Sequence, residues 1–241
     1  MTPDLPGALD LYRKRLPEEH RVAEDDMVRW IREDEERRRR DSNPILTDWF
    51  IVAKFRGRVC GFLIFHYNPT TGLLLIAYMV VANTPGIPVN AVSAALGSQV
   101  RHLLRSRPEL RECKGLVVEV EDPRKETNPR KQSEALARIR GFCTLSETQG
   151  FSLRALDFDY LQPKLSLEDA APETPLLLLS ARTRHSTTTS DSTVEETSEA
   201  LLFVYKYVYP DGYGLCSAVS DWSIGIDRTE GDEGEQPRLM S

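Results

Sequence analysis

The organisation of this chain follows from one stretch, LLLIAYMVVANTPGIPVNAVSAALGSQVRHLL, which runs from Leu73 to Leu104. Its first ten residues are almost all apolar, as expected of a strand that is covered on both faces. NTPGIPVN then interrupts the apolar run, and apolar residues recur afterwards with helical spacing. The stretch therefore predicts a central strand, a loop and a helix. Such a junction points backbone N–H groups at one spot, which suits a phosphate group, although an ordinary strand-to-helix connection has the same pattern.

The composition indicates one substantial domain with extensions, or at most two small ones, because 241 residues with 40% hydrophobic content suffice for a real core. The net charge of −6 argues against a general nucleic-acid binder. No apolar run approaches the roughly 20 residues that cross a bilayer, and the N-terminus lacks signal-peptide features, so we expect no membrane association and a cytoplasmic location. The four cysteines are scattered without a C-x-x-C pair, and we predict no metal site.

Two further strands are predicted before the central strand. Side chains alternate with a period of two from Asp48 to Arg56, which predicts a strand. A short turn returns the chain antiparallel from Val59 to Tyr67, and NPTTG then leads into the central strand. We therefore expect a meander of three antiparallel strands. Upstream, the pattern from Leu9 to Arg40 is helical, with a break at Pro17.

Four more elements are predicted after the central helix. The β-branched run from Leu116 to Asp122 predicts a strand parallel to the central one, because a helix connects the two. A helix is predicted from Gln132 to about Gln149, followed by a strand that ends at Pro163 and a closing strand from Thr174 to Arg182. Together with the meander, these elements predict one domain that spans residues 1–183.

The C-terminal region carries one further helix. Residues 184–193 form a polar, low-complexity segment that predicts a flexible linker. The helix predicted from Thr193 to Tyr209 has an apolar stripe, which could cover the sheet or mediate a homodimer. We group this helix with a docking segment as residues 194–226. The acidic residues 227–241 contain few large apolar side chains and predict a disordered tail.

Several short sequences, in this order of elements, resemble one known family. They are VCGF from Val59, AYMVV from Ala77, VVEVEDP from Val117 and DYLQPKL from Asp159. Together they resemble the GNAT superfamily of acyl-CoA-dependent N-acyltransferases over roughly Leu9 to Arg182, and in particular a bacterial branch with a Tyr-x-Gln-Pro-x-Leu signature. The resemblance implies an α/β (α+β) fold with a mixed, mostly antiparallel central sheet and helices on both faces.

The resemblance also implies an acyl donor, acetyl-CoA, that enters where the central strand and the next parallel strand splay apart. Its pyrophosphate would lie on backbone N–H groups at the start of the central helix. Carried onto this chain, the cofactor-binding positions are Val81, Gly86, Val89, Asn90, Ala91 and Val92. The family's loop arginine has no counterpart here, its glycine positions fall on Val89 and Ala91, and Pro88 lacks an N–H donor.

Candidate catalytic groups lie on the strands around this predicted splay. Glu119 and Glu121 are two residues apart on one strand and therefore share a face, where they could raise one another's pKa, act as a general base and attract a cationic amine. A polar face in contact with water is the alternative. Tyr78 and Tyr160 are candidate proton donors, with aromatic packing as their alternative role. The family's Phe-Tyr pair is Phe142-Cys143 here.

These observations support two hypotheses from different classes. The first is an acetyl-CoA-dependent N-acyltransferase that acts on a small-molecule amine. The second is a catalytically inactive GNAT-like binding or scaffold module, since the loop arginine, the loop glycines and the tyrosine are missing. An open gap between the strands that end at Val81 and Glu121 would favour the enzyme, whereas a gap filled with side chains would favour the scaffold.

Overall fold

The computed structural model describes residues 4–16, 21–25, 27, 28, 31, 46–148, 150, 151, 153–156, 160–162, 174–182 and 193–212. The strands are β1 (Thr47–Phe55), β2 (Arg58–Asn68), β3 (Leu73–Val81), β4 (Gly115–Glu121), β5 (Arg154–Ala155), β6 (Tyr160–Gln162) and β7 (Thr174–Arg182). The helices are α1 (Leu5–Arg15), α2 (Val89–Ser106), α3 (Pro129–Thr148), α4 (Thr193–Leu202), a short 3₁₀ helix (Pro108–Leu110) and a π-helix (Phe203–Gly212). Most of the helix predicted after Pro17, most of the linker, the docking segment beyond Gly212 and the acidic tail lie outside the described residues.

A seven-stranded sheet organises the fold, with the order β1-β2-β3-β4-β7-β5 and with β6 also paired to β7. The strands β3 and β4 pair in parallel, and the other pairs are antiparallel. This confirms the predicted mixed, mostly antiparallel sheet, the three-strand meander and the parallel crossover through α2. The single strand predicted to end at Pro163 is wrong in detail. Two short strands, β5 and β6, both paired to β7, are described in its place, and residues 157–159 between them lie outside the described residues.

The helices α2 and α3 cover one face of the sheet. Apolar residues of α2 recur every three or four positions, as the sequence pattern predicted, and they are buried against strand residues of β2, β3 and β4. This cluster includes Leu63, Leu74, Ile76, Val92, Leu96, Val100 and Val118. The predicted helix starts are close to the observed ones, since α2 begins at Val89 and α3 begins at Pro129.

The helix α1 and the C-terminal helices cover the opposite face. The buried side chains of Ala200, Phe203, Val204 and Val208 pack with Leu75 and its neighbours from β3, β4 and β7. Burial of one large apolar side chain contributes about 1.5–3 kcal/mol, so this contact is substantial. Of the two predicted roles for the C-terminal helix, covering the sheet is the one observed, and the homodimer stays a prediction.

The predicted C-terminal helix is observed from Thr193 to Gly212, but its second half, from Phe203, is a π-helix and not an α-helix. The sequence FVYKYVY in this part is rich in aromatic and β-branched residues, which fit an α-helix less well than Ala or Leu. The π-helix still presents its buried side chains to the sheet. Among the described residues, no helix is both long enough and apolar enough to cross a membrane.

One irregularity in β3 determines which side chains reach which face. Ile64 pairs with Tyr78 and Phe65 with Ile76, so the ladder skips Ala77. An extra residue of this kind is a β-bulge, and it moves every following side chain to the other face. As a result Tyr78 packs on the same side of the sheet as α1.

Candidate active site

The strands β3 and β4 separate from one another halfway along their length. Their pairing runs from Leu73, opposite Gly115, to Ile76, opposite Val118. Beyond that point β3 continues to Val81 and β4 to Glu121 without further pairing between them. The bulge at Ala77 lies where the separation begins, and the added twist of a bulge turns a strand away from its neighbour.

The gap between the two strands is an open cleft with a volume of about 520 Å³. Its lining includes Arg15 and Leu16 from α1 on one face of the sheet, and Lys131 and Arg138 from α3 on the other. The cleft therefore passes through the sheet and is not filled by side chains. Of the residues at the predicted site, Val81, Tyr78, Glu119 and Glu121 all line it, whereas no described histidine or cysteine does so.

The loop after β3 is a tight turn at the entrance of α2. The N–H of Ile87 donates to the carbonyl oxygen of Thr84 at 3.2 Å, with Pro85 and Gly86 between them. Gly86 has a φ of 87°, which a type II turn requires at its second central position and which glycine adopts without strain. Gly86 is exposed, so its backbone is open to close approach.

The first turn of α2 itself uses some of the backbone N–H groups that were predicted to bind a phosphate. Pro88 precedes the helix, and its carbonyl oxygen accepts from the N–H groups of Ala91 at 3.1 Å and Val92 at 3.3 Å. Among the described residues, no acceptor is found for the N–H groups of Val89 and Asn90, and both residues are exposed. Four donors were predicted here, and these two are the ones that the helix itself leaves available. The side chain of Val92 is buried in the core.

A cation from another element lies beside this loop. The ring of Phe55 is next to Gly86, since a Cβ atom placed on Gly86 would lie 3.7 Å from the Cε1 atom of Phe55. The guanidinium carbon of Arg56 stands 5.1 Å from the centroid of the same ring, a cation–π contact. Sequence comparison with the family's loop could not find Arg56, because it belongs to the β1–β2 hairpin.

Glu119 is held by two side chains of β6. The hydroxyl of Tyr160 donates to Oε1 of Glu119, and Nε2 of Gln162 lies 3.5 Å from Oε2. Tyr160 and Gln162 are two residues apart on a strand and so share a face, and β7 lies between their strand and β4. The tyrosine is only 2% exposed and Glu119 is half-buried at the cleft, so the hydrogen bond is partly shielded from water. Sequence reasoning named Tyr160 but missed Gln162, which the spacing Tyr-x-Gln could have indicated.

Glu121 has a different partner. The guanidinium of Arg138 forms a fork with its carboxylate, with Nη2 2.8 Å from Oε1 and Nε 3.0 Å from Oε2. Both side chains are substantially exposed, at 45% for Arg138 and 39% for Glu121. The two glutamates share a face as predicted, but the ion pair occupies both oxygens of Glu121. Arg138 balances the charge of Glu121, whereas the hydroxyl of Tyr160 and the amide of Gln162 are uncharged, so Glu119 is the better candidate to attract an amine in the cleft.

Tyr78 has the predicted aromatic packing and also lies at the cleft, while its role as a proton donor stays a prediction. It lines the cleft and is also buried against α1, where its ring meets that of Tyr12 edge-to-face with 5.4 Å between centroids. Burial raises the pKa of Tyr12 to about 12, although a hydrogen bond with Tyr78 opposes the shift. Cys143, which stands where the family has a tyrosine, is not among the residues that line the cleft. Burial, with a smaller effect of Glu147, raises the pKa of its thiol.

No protein-family model matches the sequence, and no curated protein matches it either. A tandem GNAT protein from the clavulanic acid biosynthesis pathway has a similar structure, with 17% identity, a TM-score of 0.44 and coverage of 66% of this chain. The chain spans 42% of the length of that protein.

Two other structures are similar. An aminoglycoside 6'-N-acetyltransferase from Enterococcus faecium has 12% identity, a TM-score of 0.38 and coverage of 74% of this chain and 89% of its own. A spermidine N-acetyltransferase from Vibrio cholerae has 8% identity, a TM-score of 0.40 and coverage of 73% and 88%. Similarity at this level says nothing about substrate.

Proposed function

We propose that this protein is an N-acyltransferase that moves an acetyl group from acetyl-CoA to a primary amine of a small molecule. The observation that carries the proposal is the open cleft through the sheet, with Glu119 held at its edge by Tyr160 and Gln162. A cleft that opens on both faces lets a donor and an acceptor approach one point from opposite sides. Group transfer gains most of its rate from such positioning of two substrates.

The backbone around the cleft fits an acyl-CoA. Beyond Ile76, the edge of β3 that faces the cleft makes no ladder bonds with β4, and its N–H and C=O groups could pair with an extended, amide-containing chain. Val89 and Asn90 offer N–H groups for a diphosphate at the positive end of the α2 dipole. Arg56 would supply the positive charge that the loop itself lacks.

Glu119 is the group that would handle the amine. A carboxylate at the edge of the cleft attracts the ammonium form of the acceptor and removes its proton, which leaves the nitrogen lone pair free to attack. The donor supplies a thioester carbonyl, so that a C–N bond forms as the C–S bond breaks. An ammonium loses two protons on its way to an amide. The first goes to Glu119 before the attack. The second leaves the nitrogen as the C–N bond forms and replaces the proton that Tyr78, on the wall of the cleft, gives to the leaving thiolate. Tyr160 and Gln162 keep the carboxylate in place.

The scaffold hypothesis receives less support from the same geometry. It predicted a gap filled by side chains, and the gap is open. The missing loop arginine remains its main argument. Binding of acetyl-CoA separates the two hypotheses directly.

The test is a calorimetric titration of the full chain with acetyl-CoA, followed by a thiol-release assay with a panel of primary amines. We expect saturable binding, and a thermal stabilisation that at 100 times the dissociation constant corresponds to about 2.7 kcal/mol. Glu119→Gln should bind acetyl-CoA as well as the native protein but lose about 100-fold or more in transfer rate. The matched control, Glu121→Gln on the same strand face, should keep most of the rate. Absence of both heat and stabilisation at millimolar acetyl-CoA would exclude the proposal.

A further inference from the structure

The C-terminal π-helix contacts a residue of the candidate active site on the sheet face that it covers. Its buried residues Phe203, Val204 and Val208 fix it against β3, β4 and β7. Tyr205, which follows Val204 on this helix, packs against β6. The centroid of its ring lies 5.7 Å from that of Tyr160, with 59° between the ring planes. This separation lies within the range of about 4.5–7 Å over which aromatic pairs contact one another favourably. The tyrosine that donates to Glu119 is therefore in contact with the C-terminal helix.

Tyr160 needs support of this kind because its own strand is short. The strand β6 has three residues, and in the described part of the chain it pairs only with β7. Three ladder positions at the side of a sheet constrain a side chain weakly, and strand ends open more readily than strand centres. The ring of Tyr160 is nevertheless 2% exposed. Side chains packed on it, with Tyr205 among them, account for that burial.

We propose that Tyr205 is a positioning residue for the transfer reaction, which acts through Tyr160 on Glu119. The catalytic role of Tyr205 rests on the proposed function, whereas its contact with Tyr160 and the hydrogen bond from Tyr160 to Glu119 are features of the structure alone. Packing by Tyr205 keeps the phenol of Tyr160 in the rotamer that donates to Oε1 of Glu119. A carboxylate that accepts a hydrogen bond is favoured in its ionised form, so loosening the phenol makes Glu119 harder to ionise.

This proposal gives the C-terminal helix a role beyond covering apolar surface. A helix that merely covered the sheet would contribute to thermal stability through Phe203, Val204 and Val208 alike. A helix that positions Tyr160 would affect the titration of Glu119 through one residue only. The two roles therefore separate when stability and titration are measured on the same variants.

The experiment is a pH titration of glutamate side-chain carboxylates by carbon-13 NMR in the full chain, without acetyl-CoA or an amine. Glu119→Gln identifies the resonance of Glu119. We expect Tyr205→Ala to move the midpoint of Glu119 upward by about half a pH unit, because a charge-assisted hydrogen bond is partly lost. Tyr205→Phe keeps the ring and should restore the native midpoint. The matched control is Val208→Ala on the same helix, which should lower the thermal midpoint and leave the titration of Glu119 unchanged.

Two results would overturn the inference. One is a native titration of Glu119 in Tyr205→Ala, and the other is an equal shift in Val208→Ala, which would show a purely structural effect. If Tyr205→Ala does not fold, Tyr205→Leu, which retains part of the apolar bulk but not the ring, takes its place with a smaller expected shift in the same direction. Because the titration needs neither substrate, it is read independently of acetyl-CoA binding. Failure of the proposed function and failure of this inference are thus observed in different measurements.

Discussion

The hydrogen bond between Tyr160 and Glu119 should couple the two residues strongly in folding. The perturbation is a double-mutant cycle that consists of Tyr160→Phe, Glu119→Leu and the combined variant. Tyr160→Phe deletes only the donor hydroxyl, and Glu119→Leu removes the carboxylate while it keeps apolar bulk. The bond joins a hydroxyl on a residue that is 2% exposed to a charged acceptor. Shielding from water strengthens a hydrogen bond of this kind.

The size of the coupling follows from the partner and its burial. A hydrogen bond to a charged group contributes about 1.5–3 kcal/mol, so we expect that coupling energy at pH 7. The reference is the same cycle on Glu121 and Arg138, whose side chains are 39% and 45% exposed and whose ion pair water screens. Exposed pairs contribute about 0–1 kcal/mol. Two glutamates on one strand face should therefore differ clearly in their coupling.

Urea unfolding at equilibrium measures the free energies of unfolding of all variants. Residues that do not interact give additive effects within about 0.5 kcal/mol. Additivity for Tyr160 and Glu119 would refute the reasoning, because it would mean that the hydrogen bond is absent or contributes nothing. A coupling for Glu121 and Arg138 as large as that for Tyr160 and Glu119 would refute the assignment of different roles to the two glutamates.

Substitutions elsewhere test other parts of the structure. Tyr67 is 1% exposed, its hydroxyl has no hydrogen-bond partner among the described residues, and burial raises its pKa to about 12. Tyr67→Phe removes this buried hydroxyl and should raise the free energy of unfolding, measured in urea, by about 1 kcal/mol. A decrease in the free energy of unfolding by about the same amount would mean that the hydroxyl has a partner. Burial acts to raise the pKa of Asp122, but hydrogen bonds from Arg124 outweigh it and lower the pKa. The ionised carboxylate of Asp122 therefore stabilises the fold above the pKa of about 3.9 that it has in the unfolded chain, and this contribution is lost as the pH falls below that value. Asp122→Asn should make the free energy of unfolding depend less on pH between about pH 5 and 3. Arg56→Ala should weaken acetyl-CoA binding, measured by calorimetry, about fivefold in low salt and by less in 0.5 M salt, which screens the charge. Arg58→Ala is the control, and equal effects of the two changes would contradict a specific role of Arg56.

Local patterns were enough to predict most of the sheet. The alternation in β1, the apolar run of β3 and the helical spacing of α2 are properties of neighbouring residues, and they predicted these elements to within one to three residues. Parallel pairing of β3 with β4 followed because a helix connects them. The alternation also placed Glu119 and Glu121 on one face. All of these are short-range consequences of backbone geometry, which a sequence displays directly.

Partners of the candidate catalytic groups depend on contacts that no local pattern contains. Glu119 meets Tyr160 from 41 residues away because β7 inserts between β4 and β6. Glu121 instead forms an ion pair with Arg138 of the helix α3. The signature around Tyr160 made it a candidate, but its role as a donor to Glu119 could not be read from spacing. Sheet order has to be known before side chains on different strands can be assigned to one another.

The residues from Leu73 to Leu104 predicted a strand, a loop and a helix at the centre of the fold, because hydrophobic periodicity and turn residues act within a few positions. The space around these residues depends on other parts of the chain. The bulge at Ala77 and the end of pairing at Ile76 open the cleft, and the hydrogen bonds of Pro88 decide which N–H groups remain for a ligand. The bulge and the end of pairing involve the neighbouring strands β2 and β4, so they arise only when the sheet is assembled, whereas the bonds of Pro88 are local to the start of α2.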